Sequence, residues 1–239
     1  KSLAAIIDML SWQPSAKAWS GTSLEILYHR GREVEAAELN AALGSSAGEV
    51  PEGLRSLRSA LKGFYHNGVC SEDVWGKGTG KGGRADSIEV ANDARQRPLG
   101  SYYRLQPILN DYHAALNEVG AIYAAAEIHE GWQIWKEPIG TSLDECHNGI
   151  IQLGKAQSSP SLGNHAFVIV GYNDEGFLVL NSWGRDWGHY DPPGKTKGAG
   201  RVGYPGIALW RYQDWAERIL DGWVLRLGVT APEGFKYSF

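Results

Sequence analysis

Apolar residues recur at helical spacing along the first seventy positions. Leu3, Ile6, Ile7 and Leu10, with Ala4 and Ala5 between them, form one stripe and predict a helix over 3–10. No capping residue precedes that helix, so it reads as the surviving part of a longer element. The hydroxyls of Ser20-Gly21-Thr22-Ser23 are placed to cap a second helix that opens Leu24-Glu25-Ile26-Leu27-Tyr28. Pro51 suits a first helical turn, and Leu54, Leu57, Leu61 and Phe64 continue the period until Asn67-Gly68 stops it. A further helix is expected over 86–95, ending before Pro98-Leu99-Gly100.

Beyond Pro98 the period shortens. Ser101-Tyr102-Tyr103-Arg104-Leu105 and 120–127 read as strands. They flank a helix over 107–117 whose Ile108, Tyr112, Ala115 and Leu116 point inward. From Ala166 onward β-branched and aromatic residues dominate in Phe167–Val170, Phe177–Leu180, Ile207–Trp210 and Trp223–Leu227, with glycine-rich turns between them. Helices first and antiparallel strands second make an α+β chain.

Composition narrows the chemistry. The 239 residues carry 23 basic and 27 acidic side chains, a formal net charge of −4, so no global field recruits nucleic acid or an anionic membrane. No apolar run approaches the roughly 18 to 20 residues needed to span a bilayer. Two cysteines, Cys70 and Cys146, exclude a disulfide-rich scaffold and a zinc finger. No metal, nucleotide or other cofactor is implied.

The chemistry concentrates in Gly163-Asn164-His165 through Gly171-Tyr172 and in Phe177 through Asn181-Ser182-Trp183-Gly184, followed by Trp187-Gly188. If Tyr172 pairs with Gly176 across a three-residue loop, His165 faces Trp183 and Asn181 faces Phe167, all on one side of the sheet. His165 and Asn181 are then neighbours. A two- or four-residue loop without a compensating bulge would send them to opposite faces. An amide oxygen beside His165 would hold the imidazole in the tautomer a general base needs, with Trp183 shielding that bond from water. Read singly, His165 would be a strand-end histidine and Asn181 a turn residue; that reading leaves the Asn-Ser-Trp-Gly run and the second Trp-Gly unexplained.

These two segments resemble the histidine and asparagine regions of papain-like cysteine peptidases, the C1 family. Gly68-Val69-Cys70-Ser71-Glu72 with Trp75, Pro98-Leu99-Gly100 before Tyr102-Tyr103-Arg104, His129-Glu130-Gly131-Trp132 and Trp223 through Gly228 resemble a prokaryotic branch of it. The resemblance implies a single catalytic domain of two lobes, a mainly helical one over 1–100 and a mainly antiparallel sheet lobe over 101–239. It also implies thiol-dependent hydrolysis of a peptide or protein substrate, with His165 as general base and acid, Asn181 orienting it, and Trp183 and Trp187 packed over that pair.

The family places its nucleophilic cysteine at the start of a central helix, after an oxyanion-hole glutamine, and no such run occurs here. The 3–10 helix resembles the one that follows that cysteine, which puts the nucleophile just before Lys1, in an upstream segment or a partner chain that completes the active site. Two alternatives stand beside it: an inactive member kept as a peptide-binding or regulatory module, or Cys70 or Cys146 as nucleophile. Cys70 follows a helix stop in a non-catalytic element of the family, and Cys146 lies near Asp144 and Glu145, whose charges would raise a thiol pKa. A Cys–His acyltransferase on the same scaffold differs only in what resolves the acyl-enzyme. The chemistry requires a free thiol, and localisation stays open.

Three further segments draw attention. Gly78-Thr79-Gly80-Lys81-Gly82-Gly83 fits a phosphate-loop string but follows no strand, and reads as a basic surface loop. His129 with Glu130 and Trp132 reads as a structural strand end. The stretch 191–198 reads as a mobile inserted loop.

Overall fold

A computed structural model describes residues 1–11, 21–43, 53–77, 87–135, 149–152, 160–192 and 203–229. Pro51, Asp86, Cys146, the glycine-rich string 78–83 and most of the 191–198 insertion lie outside the described residues. The chain divides into two compact units, one built mainly from Leu3–Tyr103 with Leu225–Phe239, the other mainly from Arg104–Val224.

The first unit is helical. Helix α1 (Ser2–Ser11) buries Leu3, Ala4, Ile6 and Ile7. Helix α2 (Leu24–Leu43) follows; of the hydroxyls expected to cap it, Ser20 lies outside the described residues and the other two act otherwise. The Thr22 backbone amide and hydroxyl both donate to Asp8 Oδ1, at 2.8 and 2.6 Å, and the buried Ser23 hydroxyl has no partner among the described residues. The third helix also differs from expectation. Helix α3 spans Leu57–Asn67 and excludes Leu54, because Glu35 Oε1 accepts from the amides of Arg55 and Ser56 at 2.8 and 3.1 Å and Ser56 is extended. That carboxylate satisfies donors which another helical turn would have used. The stop falls where the sequence places it: Gly68, at φ 69, donates to the Phe64 carbonyl at 2.8 Å.

Helices α2 and α3 approach at glycine. A Cβ on Gly63 would lie 2.7 Å from the Arg30 carbonyl carbon. Alanine there gains about 1 kcal/mol in helix propensity but overpacks backbone that cannot move aside, which costs about 1–3 kcal/mol. Gly63→Ala is therefore expected to lower the midpoint of thermal unfolding. Helices α4 (Glu72–Lys77) and α5 (Ile88–Ala94) and strand β1 (Leu99–Arg104) complete this part, with Ser87 Oγ accepting from Val90 N at 3.2 Å to cap α5.

The second unit is a sheet with two helices packed on it. Helix α6 (Leu109–Val119) buries Tyr112, Ala115 and Leu116, whereas Ile108 is extended at its N-terminus and 52% exposed, not inward. The expected strand at 120 begins later, as β2 (Ile122–Ile128), because Gly120 in the left-handed region ends α6. Strands β3 (Gly163–Tyr172), β4 (Gly176–Leu180), β5 (Gly188–Tyr190), β6 (Tyr204–Pro205) and β7 (Ile207–Arg211) follow. Helix α7 (Tyr212–Arg218) and strand β8 (Ile219–Leu227) complete the order. The main strands lie in the order β8-β2-β3-β4-β7 with antiparallel pairings, and β5 pairs with β6 separately. Trp132, Phe167, Phe177, Trp187 and Trp210 are fully buried in this core. The architecture is α+β.

Candidate active site

Strands β3 and β4 place His165 and Asn181 through a register that differs in detail from the simplest one. Tyr172 pairs with Phe177, not with Gly176, so the connection is longer than three residues. Asn173 sets that turn: its side-chain oxygen accepts from the amides of Glu175 and Gly176 at 2.9 and 3.0 Å. The longer turn alone would reverse the faces. A bulge between Ile169 and Gly171 absorbs the extra residue, and Val168 and Ile169 then oppose Leu180 and Val179 in the register that unites the two side chains.

The result is a hydrogen bond of 2.8 Å between His165 Nε2 and Asn181 Oδ1. Asn181 is 7% exposed and its Oδ1 also accepts from Ser182 N at 2.7 Å. Its backbone amide donates to Gly206 O at 2.9 Å, which ties the residue to the turn before β7. Because the carbonyl oxygen only accepts, His165 Nε2 carries the proton and Nδ1 is the basic nitrogen. Burial lowers the His165 pKa below its ordinary value, partly opposed by the bond to Asn181, which favours the charged ring. The Trp183 ring lies over this imidazole, with centroids 4.7 Å apart and planes at 34°.

No protein-family profile matches the chain. A protein of Acanthamoeba polyphaga mimivirus described as an uncharacterized peptidase C1-like protein is 27% identical over 138 residues, which cover 55% of this chain and 43% of that protein. The matched part therefore spans less than half of this relative. Among solved structures, xylellain, a cysteine protease from Xylella fastidiosa, superposes with a TM-score of 0.65 at 18% identity, over 94% of this chain and 77% of its own. The procathepsin B S9 of Trypanosoma congolense gives 0.55 at 14%, over 95% and 68%. The fold is papain-like.

Within the papain-like fold, the remaining candidates separate. Trp187 is fully buried, and its ring meets Trp183 edge-on at 5.7 Å and Trp132 at 6.2 Å, not His165. It supports Trp183 instead of covering the His165–Asn181 pair directly. Cys70 is buried, and burial with the nearby Asp93 charge pushes its thiol up to about 11. A thiol shifted in this direction stays protonated near neutral pH, and the protonated form is the poor nucleophile. Among the described residues no three His, Cys, Asp or Glu side chains gather as a metal site, and no helix is long and apolar enough to cross a membrane.

Two residues of this unit are not marked by the sequence pattern. Trp135 stacks on Trp183 at 5.9 Å and 20° while remaining 49% exposed. Asp214 is buried against His129 across a separation of 85 residues. Trp135 stands three positions after Trp132, a spacing that hints at a shared aromatic cluster; no local signal marks Asp214.

Proposed function

We propose that the protein hydrolyses peptide bonds through a thioester acyl-enzyme, with His165 moving the protons and a cysteine encoded before Lys1 as nucleophile. The observation that carries this reading is the His165–Asn181 bond beneath Trp183. Asn181 occupies Nε2, so Nδ1 is the nitrogen left to exchange protons with the thiol and the substrate. In the first half, the thiolate sulfur bonds to the peptide carbonyl carbon, and the imidazolium gives its Nδ1 proton to the leaving nitrogen as the C–N bond breaks. In the second, neutral Nδ1 takes a proton from water as its oxygen attacks the thioester, and the thiolate departs from the acid.

The family likeness to cysteine peptidases supports this chemistry, as does the burial of the Cys70 thiol, which disfavours its thiolate. The test is alkylation of the full-length protein by a chloromethyl ketone peptide, followed by mapping of the modified residue. Labelling at a cysteine upstream of Lys1 with loss of peptidase activity is expected, and Cys70→Ser should label and cleave as the wild type does. Labelling that requires Cys70 would overturn the assignment. A full-length chain without an upstream cysteine would point to a non-catalytic peptide-binding module.

A further inference from the structure

The chemistry above makes no use of a buried carboxylate and its histidine partner. His129, at the end of β2, is fully buried, and Asp214, in the first turn of α7, is 4% exposed. The Gly131 amide donates to His129 Nδ1 at 3.1 Å, so that nitrogen is the acceptor and Nε2 bears the proton, donated to Asp214 Oδ2 at 3.0 Å. The same carboxylate accepts from Trp210 Nε1 at 2.7 Å and from Arg218 Nε at 3.1 Å. Arg218 also stands 3.8 Å from Glu127.

Such a group is a weak source of net stability. Withdrawing a carboxylate from water costs several kcal/mol, and apolar residues of similar volume often serve a core equally well. Its structural consequence is more specific. His129 caps the short 3-10 turn Glu130–Trp132, and the Trp132 carbonyl accepts from Trp187 Nε1 at 2.7 Å. The Trp132 ring touches both Trp187 and, edge-on at 6.5 Å, Trp183. Trp183 in turn lies over His165. One set of packed groups thus runs from the α7 carboxylate to the candidate base.

We propose that the His129–Asp214 pair is a positioning device: it ties the 130–132 turn to α7, and through Trp132 it holds Trp183 against the His165–Asn181 bond. For its effect on rate this rests on the reading of His165 as the proton carrier. The placement of Trp183 does not.

The test is NMR of the full-length protein labelled in its histidine and tryptophan rings, read at the His165 Cε1 proton, whose shift senses the Trp183 ring current. Three variants separate the contributions. His129→Gln keeps a donor toward Asp214, His129→Asn keeps an acceptor toward the Gly131 amide, and Asp214→Asn leaves three donors facing one remaining oxygen. Asp214→Asn and His129→Asn are expected to move the His165 signal toward its position in Trp183→Ala, while His129→Gln stays near the wild type. In peptide cleavage the two disruptive variants should lose about tenfold in kcat with KM changed less than about twofold, because misplacement acts on the proton-transfer geometry. Should Asp214→Asn not fold, Arg218→Gln, which withdraws one donor from the carboxylate, is expected to move the same signal in the same direction by less. Folded variants with unshifted His165 signals would overturn the proposal, as would normal behaviour of His129→Asn beside a perturbed His129→Gln, which would reduce the role of His129 to a local cap. Shifted signals in a protein that cleaves no peptide would leave the positioning intact and refute the peptidase reading.

Discussion

His165→Ala in the full-length protein is expected to lower kcat/KM for peptide cleavage by about 10⁴-fold, the upper range for loss of a positioned acid–base group. Its far-ultraviolet spectrum and cooperative unfolding should remain. The substitution removes one hydrogen bond, a net loss of about 1 kcal/mol, and Asn181 Oδ1 keeps its second donor, the Ser182 amide at 2.7 Å. Fold and function therefore separate at this position. Activity within tenfold of the wild type, measured on a fluorogenic peptide at neutral pH, would refute the role given to His165.

Trp183→Ala should instead harm both. Trp183 is in ring contact with His165, Trp135, Trp187 and Trp132, so its removal opens a void among aromatic neighbours. Truncation of a fully buried tryptophan costs about 3–5 kcal/mol, and because this ring is only partly buried a loss near 2–3 kcal/mol is expected in urea unfolding. Catalysis should fall by about 10²-fold as water reaches the His165–Asn181 bond, and Trp183→Phe should recover most of the stability and part of the rate. If Trp183→Ala lost stability but cleaved peptide normally, Trp183 would be a packing residue with no shielding role.

Much of this constellation was legible in order along the chain. Alternation in β3 and β4 places His165 and Asn181 on one face for any register of the correct parity, and parity is a local property of two strands and their turn. How that parity is reached was not legible. The connection is longer than the simplest hairpin and a bulge between Ile169 and Gly171 compensates, a pairing that the alternation of the two strands does not mark. The helical half shows the same division. The apolar stripes of α1 and α3 and the stop at Gly68 follow from spacing, whereas the start of α3 depends on Glu35, which reaches across from α2 to take the amides of Arg55 and Ser56. Ile108 fits the helical stripe by its number yet sits one residue before the helix, extended and exposed.

Periodicity and glycine stops determined by themselves an α+β chain, and strand parity made His165 and Asn181 neighbours; the papain-like reading came from the resemblance of their two segments to that family. Those signals are carried by near neighbours, where backbone geometry alone relates sequence position to direction in space. The tertiary structure decided that Trp187 supports Trp183 and does not cover His165, that Cys70 is buried with a weakly acidic thiol, and that His129 is held by Asp214. Each of these depends on contacts between segments far apart in the chain, whose energies arise from burial and shared hydrogen bonds and leave no period in the sequence to read.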